Sequence, residues 1–458
     1  MSETLAVPTR TAPQAATISE RMERLPVLTS HRHLTLVIGI GLFFDFFDSN
    51  LSGTIAKVLQ ADFAFDGTAL KLMLASAFVG QFFGSIFLGR FADRYGRRRA
   101  FMLNLGIYSF FTLLGAFAPN AAWLIVTRFI AGVGIGAENA LSDSYLAEML
   151  PAKKRGRFIA WAYTAGFCGV PAVGFAALWL APQQVAGIDG WRILFVLGAL
   201  GAAIVWVLRR KLIESPRWLS VQGRDEEADA LVRSMEREAG ITSPAPIPSP
   251  KPTGKRPGVR ALLAREYRRR TLVLWTFSVL SVTAYYGFGT LAPQVLAAKG
   301  FGIIASIGYV AVSFIGYPIG SLLSVPLMDR FERKTLLAGS AVAMAGFGLG
   351  FGLSDEVPLM IAFGIGYTLV SNIFANASHV FLGEQYPTQI RSTAAGMAYS
   401  FSRLSAAAIP FALLPVLTTY GAGMLFTVIT GCIAVMVVVL LALGDRTTGV
   451  EVEQYVKG

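Results

Sequence analysis

The sequence predicts an all-α membrane protein with twelve transmembrane helices in two pseudo-symmetric six-helix bundles. The 458 residues are 54% hydrophobic and 15% charged, and their mean hydropathy of +0.56 lies outside the range of ordinary soluble domains. Twelve apolar runs are long enough to cross a bilayer core of about 30 Å, which takes about 20 helical residues. In addition, a motif of the first half of the chain recurs in the second half at a constant spacing.

The apolar runs form two groups of six, divided by a polar stretch with a charged amphipathic pattern at 224–239 and a Pro- and Lys-rich part at 243–258. The runs cover residues 34–58, 70–91, 100–118, 122–148, 158–181, 192–211, 271–296, 302–327, 335–353, 357–382, 392–418 and 421–443. We therefore expect a tail at 1–33, a bundle at 34–211, a linker at 212–270, a bundle at 271–443 and a tail at 444–458.

The internal repeat has one offset, because Phe78 and Arg97 return 236 positions later as Phe314 and Arg333. The same offset relates Gly80, Gly84, Ser85, Asp93 and Arg94 to Gly316, Gly320, Ser321, Asp329 and Arg330, and Glu148, Pro151 and Arg155 to Glu384, Pro387 and Arg391. Two separated blocks with one offset indicate a duplicated unit of about six helices. Membrane proteins built from two such halves usually move a solute between them, so the repeat favours transport.

The positive charge is concentrated in the segments predicted on one side of the membrane, which indicates a membrane topology rather than nucleic-acid binding. The formal net charge is +12 and the pI is about 9.8. Most of the 40 Lys and Arg residues fall in the terminal tails and in alternate loops; the exceptions are Lys57, Lys71, Arg192 and Lys299 in the other loops and Arg128 and Arg403 inside spans. By the positive-inside rule, we expect a multi-pass protein of the cell membrane, the inner membrane of a bacterium, with both termini cytoplasmic.

The sequence gives no indication of an enzyme, a cofactor or a metal site. It contains no Gly-rich phosphate loop, nucleophile triad or metal-ligand cluster, so no catalytic residues are expected. Cys168 and Cys432 both fall inside apolar runs, and because residues 1–33 contain no apolar h-region, no cleavable signal peptide is expected there. His31 and His33 are expected to be solvated residues of the tail.

Several motifs carry a resemblance to a known family. GRFADRYGRRRAF at 89–101 resembles the loop between helices 2 and 3 of the major facilitator superfamily. RFIAGVGIGAENALSDSYLAEMLPAKKRGR at 128–157, ESPRWL at 214–219 and GEQYPTQIRSTAAG resemble its sugar porters and metabolite:proton symporters. The second copy of the loop motif, PLMDRFERKTLL, has Glu332 in place of Gly96. The resemblance implies transport by alternating access, with the repeated loops acting as a gate.

Two departures from the sugar porters bear on the substrate. Helix 7 reads VTAYYGFGTLAPQVL and lacks the paired glutamines and asparagine that sugar porters use for hydroxyl groups. FFDFFDSN on helix 1 resembles the Asp-x-x-Asp pattern of aromatic acid:proton symporters. We therefore expect a proton symporter that imports a small organic acid or related metabolite, working as a monomer. The alternatives are a proton-driven drug or metabolite efflux antiporter, left open by GFCGVPAVG on helix 5, which resembles the Gly-Pro motif of drug:proton antiporters with one inserted residue, and a non-transporting metabolite sensor.

Four charged residues inside the spans are the candidates for proton coupling. Asp45 and Asp48 share one helical face, and a carboxylate in hydrocarbon must meet a partner or a cavity. At ~1.5 Å per residue, Asp48 and Arg128 lie at the same depth, ~21 Å from the inner edge. We expect Asp48 or Asp45 to form a protonation-sensitive pair with Arg128, or else a packing contact. Glu138, ~15 Å nearer to the cytoplasm than Arg128, is a proton-relay candidate or an interhelical hydrogen-bond partner.

The second half supplies the candidates for substrate binding. Arg403 has no acidic residue in its own span, which favours an organic anion as ligand, with a helix carbonyl or another carboxylate as the alternative. The other candidates are Tyr285, Tyr286, Gln294, Asn372 and Asn376. The predicted gate consists of Gly89, Asp93, Arg94, Gly96, Arg97, Glu148, Arg155, Asp329, Arg330, Arg333, Glu384 and Arg391.

Overall fold

The computed structural model describes residues 16–241, 262–386 and 388–445, without the side chains at positions 152, 153, 329, 383, 384, 388–393 and 395. Almost all of this part of the chain is helical. A short antiparallel hairpin, β1 (Gln184–Val185) and β2 (Ile188–Asp189), connects two of the helices. The predicted all-α class is confirmed.

The first half of the chain forms six membrane spans, two of which are broken in the middle. Its helices are α1 (Ile18–Arg24), α2 (Thr29–Thr54), α3 (Ala56–Asp62), α4 (Gly67–Tyr95), α5 (Arg97–Ala116), α6 (Ala121–Ile135), α7 (Glu138–Met149), α8 (Ala152–Phe167), α9 (Gly169–Leu180) and α10 (Gly190–Arg209). The fourth span consists of α6 and α7, which meet at Gly136 and Ala137. This break places Glu138 and Asn139 in the first turn of α7.

The second half follows two helices of the linker, α11 (Pro216–Val221) and α12 (Asp225–Ala239). Its helices are α13 (Arg268–Ala298), α14 (Ile303–Ser313), α15 (Gly316–Arg330), α16 (Arg333–Leu353), α17 (Val357–Glu384) and α18 (Thr388–Leu443). Within the described residues, the structure has 11 apolar helical stretches long enough to cross a membrane, and the last of them, Gly396–Leu443, has 48 residues. Gly421, at φ +81°, interrupts this stretch, which therefore provides two spans. The predicted twelve spans are confirmed.

The repeated glycines bring helices into direct backbone contact in both halves. A Cβ atom at Gly80 would lie 1.9 Å from the Phe129 oxygen, and one at Gly84 would lie 2.1 Å from the Val133 oxygen. In the second half, a Cβ atom at Gly320 would lie 2.0 Å from the Leu369 oxygen. The close packing of helices that glycine allows is therefore present in both halves. It applies to α4 against α6 and, in the second half, to α15 against α17.

A cluster of short helices covers the beginning of α2 on the face of the molecule that carries the basic loops, called the basic face below. Arg21 of α1 is 1% exposed and forms ion pairs of 2.6 Å with both Asp229 and Glu236 of α12. The hydrogen bond to Glu236 raises the pKa of the Arg21 guanidinium. Sequence spacing alone does not reveal this contact, because the partners lie more than 200 residues apart in the chain.

One prediction for the N-terminal segment is wrong. His31, expected to be solvated, is 1% exposed, and its Nδ1 accepts a hydrogen bond of 3.2 Å from the Leu28 backbone nitrogen. The reason is the linker helix α12, whose Glu238 accepts a hydrogen bond from the Ser30 backbone nitrogen at 3.1 Å. This contact holds α12 against the first turn of α2. His33 is exposed, as expected.

The two halves contact each other at several levels of the molecule. Ser85 Oγ lies 3.4 Å from Ser400 Oγ, and Thr164 Oγ1 lies 3.0 Å from Ser321 Oγ. Farther from the basic face, α9 of the first half packs against α14 of the second. The two halves are therefore joined both by polar contacts between helices and by the packing of α9 against α14.

Candidate functional site

Asp48 and Arg128 form an ion pair inside the first bundle. Arg128 Nη1 lies 2.8 Å from Asp48 Oδ2 and donates to Oδ1 at 2.9 Å, and Nη2 donates to the Asp48 backbone oxygen at 3.1 Å. Thr112 Oγ1 donates to Oδ1 at 3.3 Å, and the guanidinium carbon lies 5.5 Å from the centre of the Phe195 ring. The predicted contact thus exists, and of the two candidate acids Asp48 is the one that makes it.

Asp45, one turn earlier on α2, is connected to the other half of the molecule by hydrogen bonds through the side chain of Asn139. With the amide oriented so that both contacts are satisfied, Asn139 Nδ2 donates to Asp45 Oδ2 at 3.2 Å and Asn139 Oδ1 accepts from Arg403 Nη2 at 3.1 Å. Asn139 lies on α7 and Arg403 on α18, so this bridge crosses the interface of the halves. Asp45 Oδ1 is buried and has no hydrogen-bond partner among the described residues.

Arg403 is held on the other side by an aromatic cluster. Its Nη1 donates to Tyr286 Oη at 2.7 Å, and its guanidinium carbon lies 6.0 Å from the centre of the Tyr286 ring. The Tyr286 ring packs edge-on against Tyr285 and against Phe78 of the first half, at 5.0 Å in both cases. The structure therefore brings together three predicted substrate residues, Arg403, Tyr285 and Tyr286, beside one predicted proton residue, Asp45.

Glu138 has a partner that the sequence did not indicate. Arg209 Nη1 lies 2.5 Å from Glu138 Oε1, and the two side chains are 0% and 5% exposed. Gly41 leaves the necessary space, since a Cβ atom there would lie 1.9 Å from Arg209 Nη2. The Arg209 guanidinium carbon also lies 4.4 Å from the centre of the Phe101 ring. Arg209 looked like a member of the basic loop after the sixth span, and its position within a predicted span was the available sign of burial.

A small cavity lies between Asp45 and Glu138. Its volume of about 10 Å³ is close to the minimum that one water molecule needs. Asn104 and Tyr108 of α5 are among the residues that line it. Both side-chain amide atoms of Asn104 are buried without a hydrogen-bond partner among the described residues. The cavity therefore places polar groups between two of the predicted proton-coupling carboxylates.

The three amide side chains that were predicted to bind substrate have no hydrogen bond to Arg403 among the described residues. The amide nitrogen of Asn372 donates to the Tyr317 backbone oxygen, and that of Asn376 donates to Ser324 Oγ at 2.7 Å. Both bonds join α17 to α15 within the second half. Gln294 is 2% exposed, and its amide atoms have no partner among the described residues. These contacts account for Asn372 and Asn376 as residues that pack two helices of one bundle together.

The first predicted gate loop forms a network on the basic face. Arg97 Nη1 lies 2.8 Å from Asp93 Oδ1, and Arg97 Nη2 lies 3.0 Å from Glu148 Oε1. The Arg97 backbone nitrogen donates to Glu214 Oε1 of the ESPRWL segment at 2.9 Å. Gly96 has φ +102°, a backbone region that favours glycine. The loop thus connects Glu148 of the first half with Glu214 of the linker, two segments that the sequence analysis singled out separately.

The remaining gate residues are arranged differently from the expectation. Arg155 pairs with Glu23 of the N-terminal segment at 3.0 Å instead of joining the Asp93 loop. A Cβ atom at Gly89 would meet no atom within 4 Å, Arg94 lies 5.3 Å from its neighbouring Tyr95 ring, and Arg330 is exposed. In the second loop, Arg333 donates to the Met328 backbone oxygen. The side chains of Asp329, Glu384 and Arg391 lie outside the described residues.

A further contact between the halves involves residues that the sequence analysis left without a transport role. Tyr163 Oη donates to Asp143 Oδ1 at 2.9 Å, within the first half. His379 Nδ1 lies 2.6 Å from Tyr399 Oη, within the second half, and 4.0 Å from Asp143 Oδ2 across the interface. These four side chains lie on the basic-face side of the Asp45 bridge, because Asp143 follows Asn139 along α7 toward the basic loop.

Comparisons with known proteins agree with this architecture. The family model described as sugar (and other) transporter matches residues 34–457. The chain is 32% identical to the niacin transporter NiaP of Acinetobacter baylyi over 94% of this chain and 98% of that protein. It is 26% identical to the 4-hydroxybenzoate transporter PcaK of the same organism, over 81% of this chain and 82% of that one. A partially occluded inward-open structure of the xylose transporter XylE from Escherichia coli superposes with a TM-score of 0.75 at 18% identity, covering 92% of this chain and 99% of XylE.

Proposed function

We propose that this chain, which belongs to the sugar (and other) transporter family of the major facilitator superfamily and is a membrane transporter rather than an enzyme, imports a small aromatic carboxylate together with a proton. It works as a monomer by alternating access, with the bundles at 34–211 and 271–443 rocking about the central site. The basic face is its cytoplasmic face, since positive loops remain inside. Niacin and 4-hydroxybenzoate, which name two relatives, are both aromatic monocarboxylic acids.

The observation that carries the proposal is the bridge from Asp45 through Asn139 to Arg403. A planar guanidinium recognises a carboxylate through two parallel hydrogen bonds, and Arg403 already uses one nitrogen for Asn139 and the other for Tyr286. A substrate carboxylate replaces the Asn139 oxygen on Arg403. Its ring then stacks among Tyr285, Tyr286 and Phe78, where edge and face contacts between aromatic rings are favourable.

Charge balance supports the entry of a proton with the substrate. Asp48 pairs with Arg128 and Glu138 with Arg209, which leaves Asp45 and Arg403 to balance one another through Asn139. A bound monoanion adds one negative charge to this buried set, and an uncompensated charge is costly in the membrane interior. A proton on Asp45 restores neutrality. The cavity between Asp45 and Glu138 offers that proton a route toward the basic face.

This assignment sets the energetics of the cycle. One proton that enters with one monoanion moves no net charge, so the membrane potential contributes nothing. The pH gradient contributes about 1.4 kcal/mol per unit, which corresponds to about tenfold accumulation. Proton coupling of this kind also distinguishes the transporter from a metabolite sensor, which would bind the acid without moving it.

Uptake into proteoliposomes tests the function. With an acidic exterior, radiolabelled nicotinate or 4-hydroxybenzoate is expected to accumulate about tenfold per pH unit, with no response to a potassium-diffusion potential. Because weak acids also cross bilayers unaided, protein-free liposomes and vesicles with the Arg403→Gln variant are the controls. Expulsion of preloaded substrate under the same gradient would indicate efflux. Binding without any uptake above the controls would indicate a sensor.

A further inference from the structure

The surface of the basic face contains a groove whose lining residues are not members of the proposed substrate site. Its volume is about 400 Å³, and it lies between the beginnings of α2 and α8. We call it the α2–α8 groove; it is lined by Val27, Arg32, Lys154, Arg157, Phe158 and Trp161. Three cations and two aromatic rings therefore share one open depression at the end of two membrane helices.

The cations of the groove are free of carboxylate partners within the described part of the chain. Arg32, Lys154 and Arg157 are all exposed, and no ion pair joins them to a described acidic residue. Two acids that contact the beginning of α2 or of α8 are engaged elsewhere: Glu23 pairs with Arg155, and Glu238 accepts a hydrogen bond from the Ser30 backbone nitrogen. The beginning of α8 thus contains one arginine with a partner, Arg155, and two cations that line the groove.

The tryptophan of the groove lies farther along α8, away from the basic end of the helix, than the cations. Trp161 is one helical turn beyond Arg157, about 6 Å farther along α8, and it is 53% exposed. Tryptophan prefers the boundary between headgroups and acyl chains, and arginine and lysine prefer the phosphate level. Beyond Trp161, α2 and α8 pack closely, because a Cβ atom at Gly166 would lie 2.7 Å from Leu42 Cβ.

We propose that the α2–α8 groove binds an anionic phospholipid. The phosphodiester and its headgroup lie among Arg32, Lys154 and Arg157, and the first part of an acyl chain lies against Phe158 and Trp161. Cations alone would suit any phosphate ion, but the exposed indole below them suits a molecule that continues into the bilayer. The site is independent of the substrate path, since none of its residues contacts the Asp45 bridge.

Lipid titrations of the purified protein test the site. Short-chain phosphatidylglycerol is expected to raise the apparent Tm saturably, whereas phosphatidylcholine and inorganic phosphate at equal concentration have little effect. The triple variant with Arg32→Gln, Lys154→Gln and Arg157→Gln is expected to bind phosphatidylglycerol roughly a hundredfold more weakly. Each cation contributes about 1 kcal/mol to the binding of an anionic lipid, and about 1.4 kcal/mol corresponds to a tenfold change in affinity. The matched control carries Arg99→Gln, Lys211→Gln and Arg265→Gln, which remove equal charge from exposed positions of the same face.

Equal losses in the two triple variants would overturn the site, because they would indicate general attraction to the basic face. An equal Tm response to inorganic phosphate would also overturn it, in favour of a free anion. If the groove variant does not fold, quenching of tryptophan fluorescence by brominated lipids decides. The quenching is measured with and without the substitution Trp161→Phe. The part of the quenching that this substitution removes is expected to be larger with brominated phosphatidylglycerol than with brominated phosphatidylcholine. Equal values for the two lipids would refute the proposal.

Discussion

Asp48 and Arg128 are buried to 0% and 1% exposure and lie 2.8 Å apart, on helices whose sequence positions differ by 80 residues. Both oxygens of the carboxylate and the backbone oxygen of Asp48 face the guanidinium. All partners of the pair belong to the first bundle. Asp45, in contrast, connects to the second bundle through Asn139. The two acids of the Asp-x-x-Asp pattern therefore have different surroundings and, we propose, different roles.

The first prediction separates these roles by replacing each acid with asparagine. Asp45→Asn is expected to abolish uptake driven by a pH gradient while substrate counterflow persists, because the variant has no carboxylate to take up the proton. Asp48→Asn is expected to lower the apparent Tm strongly, since removing one member of a buried pair costs about 3–5 kcal/mol. Both are measured in parallel by uptake and by thermal unfolding.

The double variant Asp48→Asn with Arg128→Gln is the control for the first prediction. Because it removes both charges, it is expected to regain much of the lost Tm. If this stable double variant lost the dependence of uptake on the pH gradient while Asp45→Asn retained it, Asp48 would be the proton carrier instead. Retention of full uphill uptake by Asp48→Asn would confine Asp48 to packing.

Depth along a helix is what the sequence predicted well. The rise per residue and the bilayer thickness fix how deep Asp48 and Arg128 lie, and the repeated glycines mark where helices approach closely. The residues that a side chain contacts on adjacent helices were not predicted in the same way. Arg209 begins the basic cluster at 209–211 and resembles a loop residue, but the missing side chain at Gly41 lets it reach Glu138.

The partners of short charged segments could not be predicted from the sequence either. Arg155 matched a repeated gate position, yet its partner Glu23 lies in a stretch that carries no motif. Asn139 was overlooked because an amide beside Glu138 in a Gly- and Ala-rich run resembles a packing residue. The contact of Asn139 with Arg403 depends on how the two halves meet, and residue spacing within either half does not predict that arrangement.

The second prediction concerns the paired glycines. Gly84→Ala and Gly320→Ala are each expected to lower the apparent Tm, because the added methyl group would lie 2.1 Å and 2.0 Å from a backbone oxygen of the facing helix. Overpacking of this kind costs about 1–3 kcal/mol. Gly346→Ala is the matched control, since a Cβ atom there meets nothing within 4 Å and alanine favours a helix. A similar Tm for all three variants would contradict the prediction.

The third prediction is a pH dependence at the contact between α12 and α2. The hydrogen bond from the Ser30 backbone nitrogen lowers the pKa of Glu238 from its ordinary value of 4.5. A carboxyl group with a lowered folded-state pKa stabilises the fold above pH 4.5 and loses that contribution as the pH falls through the folded-state value. Glu238→Gln is therefore expected to have a lower Tm than the unaltered protein at pH 7, and the difference should shrink below pH 4.5. A difference that stays constant with pH would exclude the carboxylate as its cause.

The fourth prediction uses Asn139 to test substrate binding at Arg403. Asn139→Asp keeps the shape of the side chain but places a carboxylate where its oxygen lies, 3.1 Å from Arg403 Nη2. This carboxylate competes with that of the substrate, and a hydrogen bond between charged groups contributes about 1.5–3 kcal/mol, so the KM for uptake is expected to rise roughly 10- to 100-fold. Asn139→Ala removes the competitor and should not raise the KM, although it should weaken the link between uptake and the pH gradient. Asn376→Asp is the control, because its amide contacts Ser321 and Ser324 rather than Arg403. An unchanged KM for Asn139→Asp, or an equal increase for Asn376→Asp, would mean that the substrate carboxylate binds elsewhere.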